Sequence, residues 1–460
     1  MKSDLLLFIG RNRMFEKLFK LKSKGSNVKT EIIAGVTTFL TMAYILGVNP
    51  GMLASTGMNF QSVFLATAIA SGVASIIMGL LANYPVGLAP GMGVNAFFTY
   101  TVCMTFKYTW QEALAAVLIS GVIFLIISVT GVRKAIINSI PKNMKLAIGA
   151  GIGFFIAFIG LKNAGIVVAD PSTYVAMGNL TNPTVILACF GLIVTVALLC
   201  KKVNAAVFYG MIITAVVGVV AGMFGVSGMP ALPTGIVSFD FSMPTFGACF
   251  EGISSLFSKP SFIMVIFTFL FIDFFDTAGT LVAVGNKIGL VNDNGEMENI
   301  EKALVADSVG TCVGAVCGTS TVTSFVESGS GVAAGGRTGL TACTTGVLFF
   351  LSILFMPLLT VVNSIQVGEL FLSPVTSAPL IIVGVLMAQQ LKEIEWDDIS
   401  VAVAAFTTVI TMVLTYSISN GIAVGFVFYV VSKVFSGKAK EINPITWVLL
   451  VIFLIYLILL

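Results

Sequence analysis

The chain has no histidine, and only 10% of its 460 residues are Asp, Glu, Lys or Arg. Any proton chemistry must therefore fall to carboxyl groups, and no nucleophile–base pair or metal-binding cluster is visible for an enzyme embedded in the membrane. The seven cysteines are Cys103, Cys189, Cys200, Cys249, Cys312, Cys317 and Cys343. Most lie in or beside apolar runs and read as small hydrophobes. Cys312 and Cys317 lack the further Cys or His ligands that a zinc site needs. Walker-type phosphate loops are absent, so ATP is not the energy source and no cofactor is expected. The acidic stretch 292–301 matches no full calcium loop and reads as a solvated connection. Residues 1–28 are polar and basic, without a cleavable signal pattern. Within them, MFEKLFKLK (14–22) is amphipathic enough to lie along a membrane surface.

What fills the chain instead is apolar sequence: 57% of residues are hydrophobic, with a mean hydropathy of +1.04. That composition implies a polytopic, all-α membrane protein. Apolar runs fall near 30–49, 60–82, 86–106, 111–131, 145–163, 183–200, 204–226, 262–285, 301–317, 319–336, 338–360, 376–391, 399–417 and 420–436. These are fourteen transmembrane segments, and 445–460 is either a further span or an interfacial helix. With the N-terminus in the cytoplasm, all of the 24 lysines and arginines except Lys107, Lys162 and Lys259 fall inside. A wrong span count would scramble that sorting.

Two runs break the helical pattern: GLAPGMGVNAFF (87–98) and GTSTVTSFVESGSGVAAGG (318–336). Backbone that leaves the helix at membrane depth needs protein or a polar cavity to satisfy its N–H and C=O groups. A pair of such interruptions in corresponding halves points to a secondary transporter and its binding site. TFLTMAYILG (38–47) and TFLFIDFFDT (268–277) share Thr-Phe-Leu at an offset of 230 residues, and the same offset carries Pro90 to Ser320 and Asn95 to Phe325. An odd number of spans separates the copies, so they insert with opposite topology. The hinge is 227–261, rich in Gly, Pro and Ser.

The stretches KTEIIAGVTTFLTMAYILGVNP (29–50), GLAPGMGVNAFF (87–98), DFFDTAGTL (273–281) and TSTVTSFVESGSGVAAGGRTGLTA (319–342) resemble the nucleobase–cation symporter 2 family, in its hypoxanthine/guanine/adenine permease branch. The resemblance implies two inverted seven-span repeats, with short antiparallel β-strands in broken spans 3 and 10. It implies a core domain of 29–131 and 262–360 and a gate domain of 132–226 and 361–436. The segment 227–261 would join the repeats outside, and 437–460 would form a basic linker and extra apolar segment. Proton symport, a homodimer and substrate contacts at Asn95, Asp273 and Glu327 are also implied. Other branches often carry His in the first span, where this chain has Ala43–Tyr44.

The residues support those roles on their own chemistry. Glu327 follows the second break; an intramembrane carboxylate usually faces a working cavity. Its two oxygens suit a base edge with two N–H donors, such as N1–H and the amino group of guanine. The plain alternative is a cap on the following half-helix. Asp273 and Asp276 lie about one helical turn apart and share a face. Two nearby carboxylates resist ionising together, which suits a proton carrier; Glu327 is a third candidate for that role. The alternative for Asp273 is a bond to Ser or Thr hydroxyls in the bundle. Asn95 donates and accepts, matching a purine's mixed edge, or else pins the broken helix to its neighbour. Phe98, Phe274 and Phe325 are candidates to stack on the base, or simply pack. Asp307 either adjoins the site or stabilises the bundle, and Arg337 reads as a topology anchor.

The expectation is thus a plasma-membrane carrier for purine nucleobases, driven by the proton gradient through an elevator-like core movement. Its partners are the base, protons, the bilayer and a second copy, with no nucleic acid. The rival is an anion carrier or channel on the same inverted-repeat scaffold. Half-helix N-termini favour anions, but three carboxylates around that point would repel one.

Overall fold

A computed structural model describes residues 15–130, 141–233, 235–288, 297–368 and 370–459, with the side chains of 275, 278, 279, 282, 283, 286, 287 and 459 outside the description. Residues 1–14, Arg133, Lys134 and the first half (292–296) of the acidic stretch 292–301 lie outside it. The basic-tail and loop expectations placed there are not addressed.

The chain is almost entirely helical. In the first half run α1 (Val28–Met42), α2 (Ile45–Ala54), α3 (Phe60–Ile77), β1 (Leu88–Pro90), α4 (Met92–Ala96), α5 (Trp110–Val129), α6 (Lys142–Asn163), the hairpin β2 (Val167–Asp170) and β3 (Tyr174–Met177), α7 (Pro183–Cys200) and α8 (Ala206–Met223). Short helices α9 (Ala248–Glu251) and α10 (Ile253–Leu256) lead to α11 (Phe262–Lys287), α12 (Ile300–Cys317), β4 (Val322–Ser324), α13 (Ser328–Ala333) and α14 (Gly339–Ser352). A hairpin of β5 (Ile365–Val367) and β6 (Leu370–Leu372) precedes α15 (Pro374–Ala388), α16 (Ile399–Leu414), α17 (Ile418–Phe435) and α18 (Pro444–Leu459).

Polar residues mark where helices start. Asn27 and Asn59 accept from the backbone N–H groups of Thr30 and Ser62 at 3.0 and 2.9 Å. Thr109 and Glu112 form a reciprocal capping box at the head of α5. Such caps fix the entry of helices whose interiors are apolar all round.

Among the described residues, nine helices are long and apolar enough to cross a membrane. The other expected runs have local reasons to fall short. Two are the broken segments. The helix α12 carries Glu301, Lys302 and Asp307; α16 has 16 residues; and of the 26-residue α11 only Phe262–Phe274 is described without interruption.

The helices pack in two sets. In one, α14 lies against α1 and α3, while α12 lies against α3 and α5. In the other, α6 packs on α15 and α16, α16 on α17, and α7 on α8 and α15. Glycines bring the helices close: a Cβ on Gly79 would fall 2.3 Å from the Gly339 carbonyl oxygen. The amphipathic N-terminal stretch lies on the protein itself. Phe19 and Leu21 are buried with Leu340, and Lys24 pairs with Glu298 at 3.0 Å.

Candidate functional site

The two breaks meet. β1 and β4 pair antiparallel, Leu88 opposite Ser324, Ala89 opposite Thr323 and Pro90 opposite Val322. Gly91 N–H donates to Thr321 O and Phe325 N–H to Gly87 O, both at 3.0 Å, extending the ladder at each end. Backbone freed from helix is thereby paired inside protein, as membrane depth requires. Leu88 lies 50 residues beyond Thr38 and Val322 lies 54 beyond Thr268 (88 − 38 against 322 − 268), so the two strands begin 234 residues apart.

From this hub the candidate side chains converge. Glu327 precedes α13, and its side chain does not cap that helix. Its Oε1 instead accepts a 2.7 Å hydrogen bond from the hydroxyl of fully buried Tyr44. Tyr44 sits at the joint between α1 and α2. Glu327 is partly exposed, as a ligand-facing carboxylate would be.

Asn95 on α4 is completely buried. Its Oδ1 accepts from the Ser320 hydroxyl, so it does bridge one break to the other. Its Nδ2 has no partner among the described residues. A buried amide N–H₂ without an acceptor is costly, on the order of 1–3 kcal/mol, so a ligand atom there would be favoured.

Asp273 is 2% exposed on α11. Thr311 Oγ1 lies 3.2 Å from its Oδ2 and 2.9 Å from Val322 O, tying the carboxylate to β4. Asp276, one turn on, is partly exposed and within electrostatic reach of Asp307 and Glu327. A Cβ at Gly91 would lie 3.2 Å from Asp276 Oδ2 and 2.5 Å from Thr323 Cγ2, so only glycine lets the first break approach this carboxylate.

Asp307 is fully buried beside the site. Both oxygens lie 2.8 Å from Thr277 Oγ1, and Oδ1 lies 3.4 Å from Ser324 Oγ. Thr277 in turn meets Thr323 Oγ1 at 2.7 Å, so Asp307 braces the strands. Both alternatives considered for it hold.

The aromatics divide. Phe325 is 5% exposed and directly follows β4. Phe98 has no exposed surface and lies 6.3 Å from Phe269, ring to ring. Phe274 is buried 6.3 Å from Phe124. The latter two sit in aromatic packing. Arg337 donates through its guanidinium at 2.7 Å to Val332 O and Gly336 O past the end of α13. Its N–H and that of Thr338 donate to buried Glu31.

Three participants escaped the sequence reading. Tyr44 stood out only as a departure from histidine. Asn49 donates to Thr67 at 2.7 Å and to Thr319 at 2.8 Å, linking α2 and α3 to the second break. Glu31 was hidden among charges at a span entrance. For Tyr44 and Asn49 the available signal was a polar side chain inside an apolar run.

A profile of the permease family (Xan_ur_permease) matches residues 29–424. The chain is 49% identical over 450 residues to the guanine/hypoxanthine permease PbuG of Bacillus subtilis (strain 168), covering 96% of this chain and 98% of that one. It is 44% identical to the guanine/hypoxanthine permease PbuO of the same organism, covering 96% and 99%. The adenine permease AdeP of Escherichia coli (strain K12) is 37% identical over 96% of this chain and 95% of its own length. In fold, the chain is similar to the transmembrane domain of a cyanobacterium bicarbonate transporter, BicA, with a TM-score of 0.60, 15% identity and coverage of 86% and 96%. Relatives this similar along nearly their whole length are transporters, not enzymes. The chain is a multi-pass membrane protein that belongs to the permease family, within the nucleobase–cation symporter 2 proteins of the hypoxanthine/guanine/adenine type.

Proposed function

We propose that this chain imports purine nucleobases, guanine and hypoxanthine foremost and adenine as a third, by proton symport across the plasma membrane. One observation carries the reading: Glu327 and Asn95 flank the paired breaks with complementary unused capacity. Tyr44 engages Glu327 Oε1, and the partly exposed carboxylate keeps lone pairs for a ligand N–H. Asn95 Nδ2 is buried without an acceptor, and suits a ring nitrogen or oxo group. A neutral base with donors on one edge and acceptors on another answers both. Phe325, beside the strands, is the aromatic candidate for stacking on it; Phe98 and Phe274 would contribute from the packing behind.

Protons would enter through Asp273, shared with Asp276 or Glu327. These are carboxyl groups beside the breaks, and the chain has no histidine. No cofactor is needed for this cycle. The cycle would run on fourteen spans in two inverted repeats, with the N-terminus cytoplasmic. The set built on α1, α3, α5, α12 and α14 would be the moving core, and the set built on α6–α8 and α15–α17 the fixed gate, paired in a homodimer.

An anion carrier is the second reading, since the BicA domain shares the fold. Three carboxylates at the breaks argue against it, because an anion would meet like charge. The test is uptake of labelled guanine against labelled sulfate in cells expressing the chain, with and without an uncoupler. Guanine uptake that collapses with the uncoupler supports the proposal; sulfate uptake alone replaces it with the rival.

A further inference from the structure

We infer that Tyr100, Lys162 and Tyr416 form a latch that closes the external end of the path between core and gate. The inference rests on the proposed division into two sliding units. It assigns residues that the substrate site does not use.

Tyr100 lies beyond the first break, in the π-helical stretch Phe97–Thr105 that continues α4. Lys162 is in the last turn of α6, and Tyr416 is in the link from α16 to α17. The first belongs to the proposed core and the other two to the gate. Lys162 Nζ lies 5.4 Å from the Tyr100 ring centroid and 5.1 Å from that of Tyr416. The two rings meet edge to face at 5.2 Å. Phe155 and Phe158 of α6 complete the box around Tyr416 at 5.3 and 6.0 Å. One cation thus bridges one ring from each unit. Lys162 is also one of only three cations that the charge sorting leaves outside.

Tyr416 also occupies an unusual backbone position. Ser417 N–H donates to Met412 O at 3.1 Å and Tyr416 N–H to Val413 O at 3.3 Å, which closes α16 in a Schellman motif. The left-handed position of that motif usually holds glycine. Here it holds Tyr416, with φ +52°.

Below the latch the two units touch with little slack. A Cβ on Gly93 of α4 would fall 2.8 Å from Ile152 Cγ2 and 3.6 Å from Ile418 Cδ1. Any slide of the core that admits solvent from outside must therefore part Tyr100 from Lys162 and Tyr416. In the structure these three side chains are in contact.

The test compares Lys162→Met, which keeps the apolar stem, with Lys162→Arg, which keeps the cation. Each carries Ile418→Cys as a probe, fully buried in the closed state. External labelling by a membrane-impermeant thiol reagent is read as the increment over the parent's own cysteines, alongside labelled guanine uptake. Lys162→Met should label faster by about 2- to 30-fold, the factor equivalent to a cation–π attraction of ~0.5–2 kcal/mol. Lys162→Arg should stay within about twofold of the parent, since the cation is retained. Tyr416→Gly should also label faster, since it removes the ring and suits the backbone. Unchanged labelling in both Lys162→Met and Tyr416→Gly overturns the latch. Faster labelling in a chain that takes up no purine would retain the latch and remove only the substrate reading.

Discussion

Replacing Glu327 by Gln isolates the hydrogen-bond polarity of the site, because size and shape barely change. In the structure Tyr44 donates to Oε1 at 2.7 Å. If the glutamine carbonyl keeps that bond, its N–H₂ points where the base presents its own donors. A donor facing a donor in a buried site costs on the order of 1–3 kcal/mol, or roughly 5- to 150-fold in affinity. If the amide turns over, the Tyr44 hydroxyl must rotate to accept, and the loss sits at the low end of that range. Tyr44→Phe separates the two cases. Alone, it frees the carboxylate and weakens binding. In the Glu327→Gln background it should add less than it does alone, because the two residues act as a unit, with a coupling of about 0.5–3 kcal/mol. The assay is competition by unlabelled guanine against labelled guanine in membrane vesicles, with protein amounts matched. Unchanged apparent affinity in Glu327→Gln, or strict additivity of the pair, refutes this account of the carboxylate.

Asp273→Asn mimics a permanently protonated carrier and should abolish accumulation of purine under an imposed pH gradient while sparing base exchange; concentrative uptake accompanied by proton entry would clear Asp273 of the role. Gly91→Ala should reduce uptake roughly 5- to 150-fold at normal protein amounts, because overpacking of about 1–3 kcal/mol falls on Thr323 and Asp276; wild-type transport kinetics would show that the breaks have slack. At the far end of α16, bonds from the Lys438 ammonium and the Ser400 hydroxyl hold the Asp398 carboxyl well below the usual carboxylate range. A lowered folded-state value gives stability that is present above about pH 4 and lost as pH falls through the folded value. Asp398→Asn keeps the helix cap but not the ion pairs, so it should flatten the acid limb of a melting-temperature profile; an unaltered limb would assign acid sensitivity elsewhere.

Much of this architecture was legible because membranes impose harsh rules on sequence. Gly, Pro, Ser and Thr clusters inside apolar runs marked the breaks, and the breaks carry the strands. The pairing of the strands was not legible, since three shared letters say nothing of which residues face each other across them. Glu327 and Asn95 could be picked out as polar groups at breaks, but not their partners. Tyr44 and Ser320 reach them only through the fold, across 283 and 225 residues of chain. Phe98 and Phe274 illustrate the opposite limit. In a chain with 37 phenylalanines, proximity to a motif does not separate a stacking ring from a packed one.

The central claim is that the paired breaks hold a purine base. Counterflow in liposomes containing the purified chain tests it most directly: vesicles preloaded with unlabelled guanine are diluted into trace labelled guanine or labelled sulfate. The account predicts transient entry of guanine well above protein-free liposomes, no counterflow of sulfate in sulfate-loaded vesicles, and loss of the guanine signal in Glu327→Gln. Sulfate counterflow with guanine at the protein-free level would contradict it.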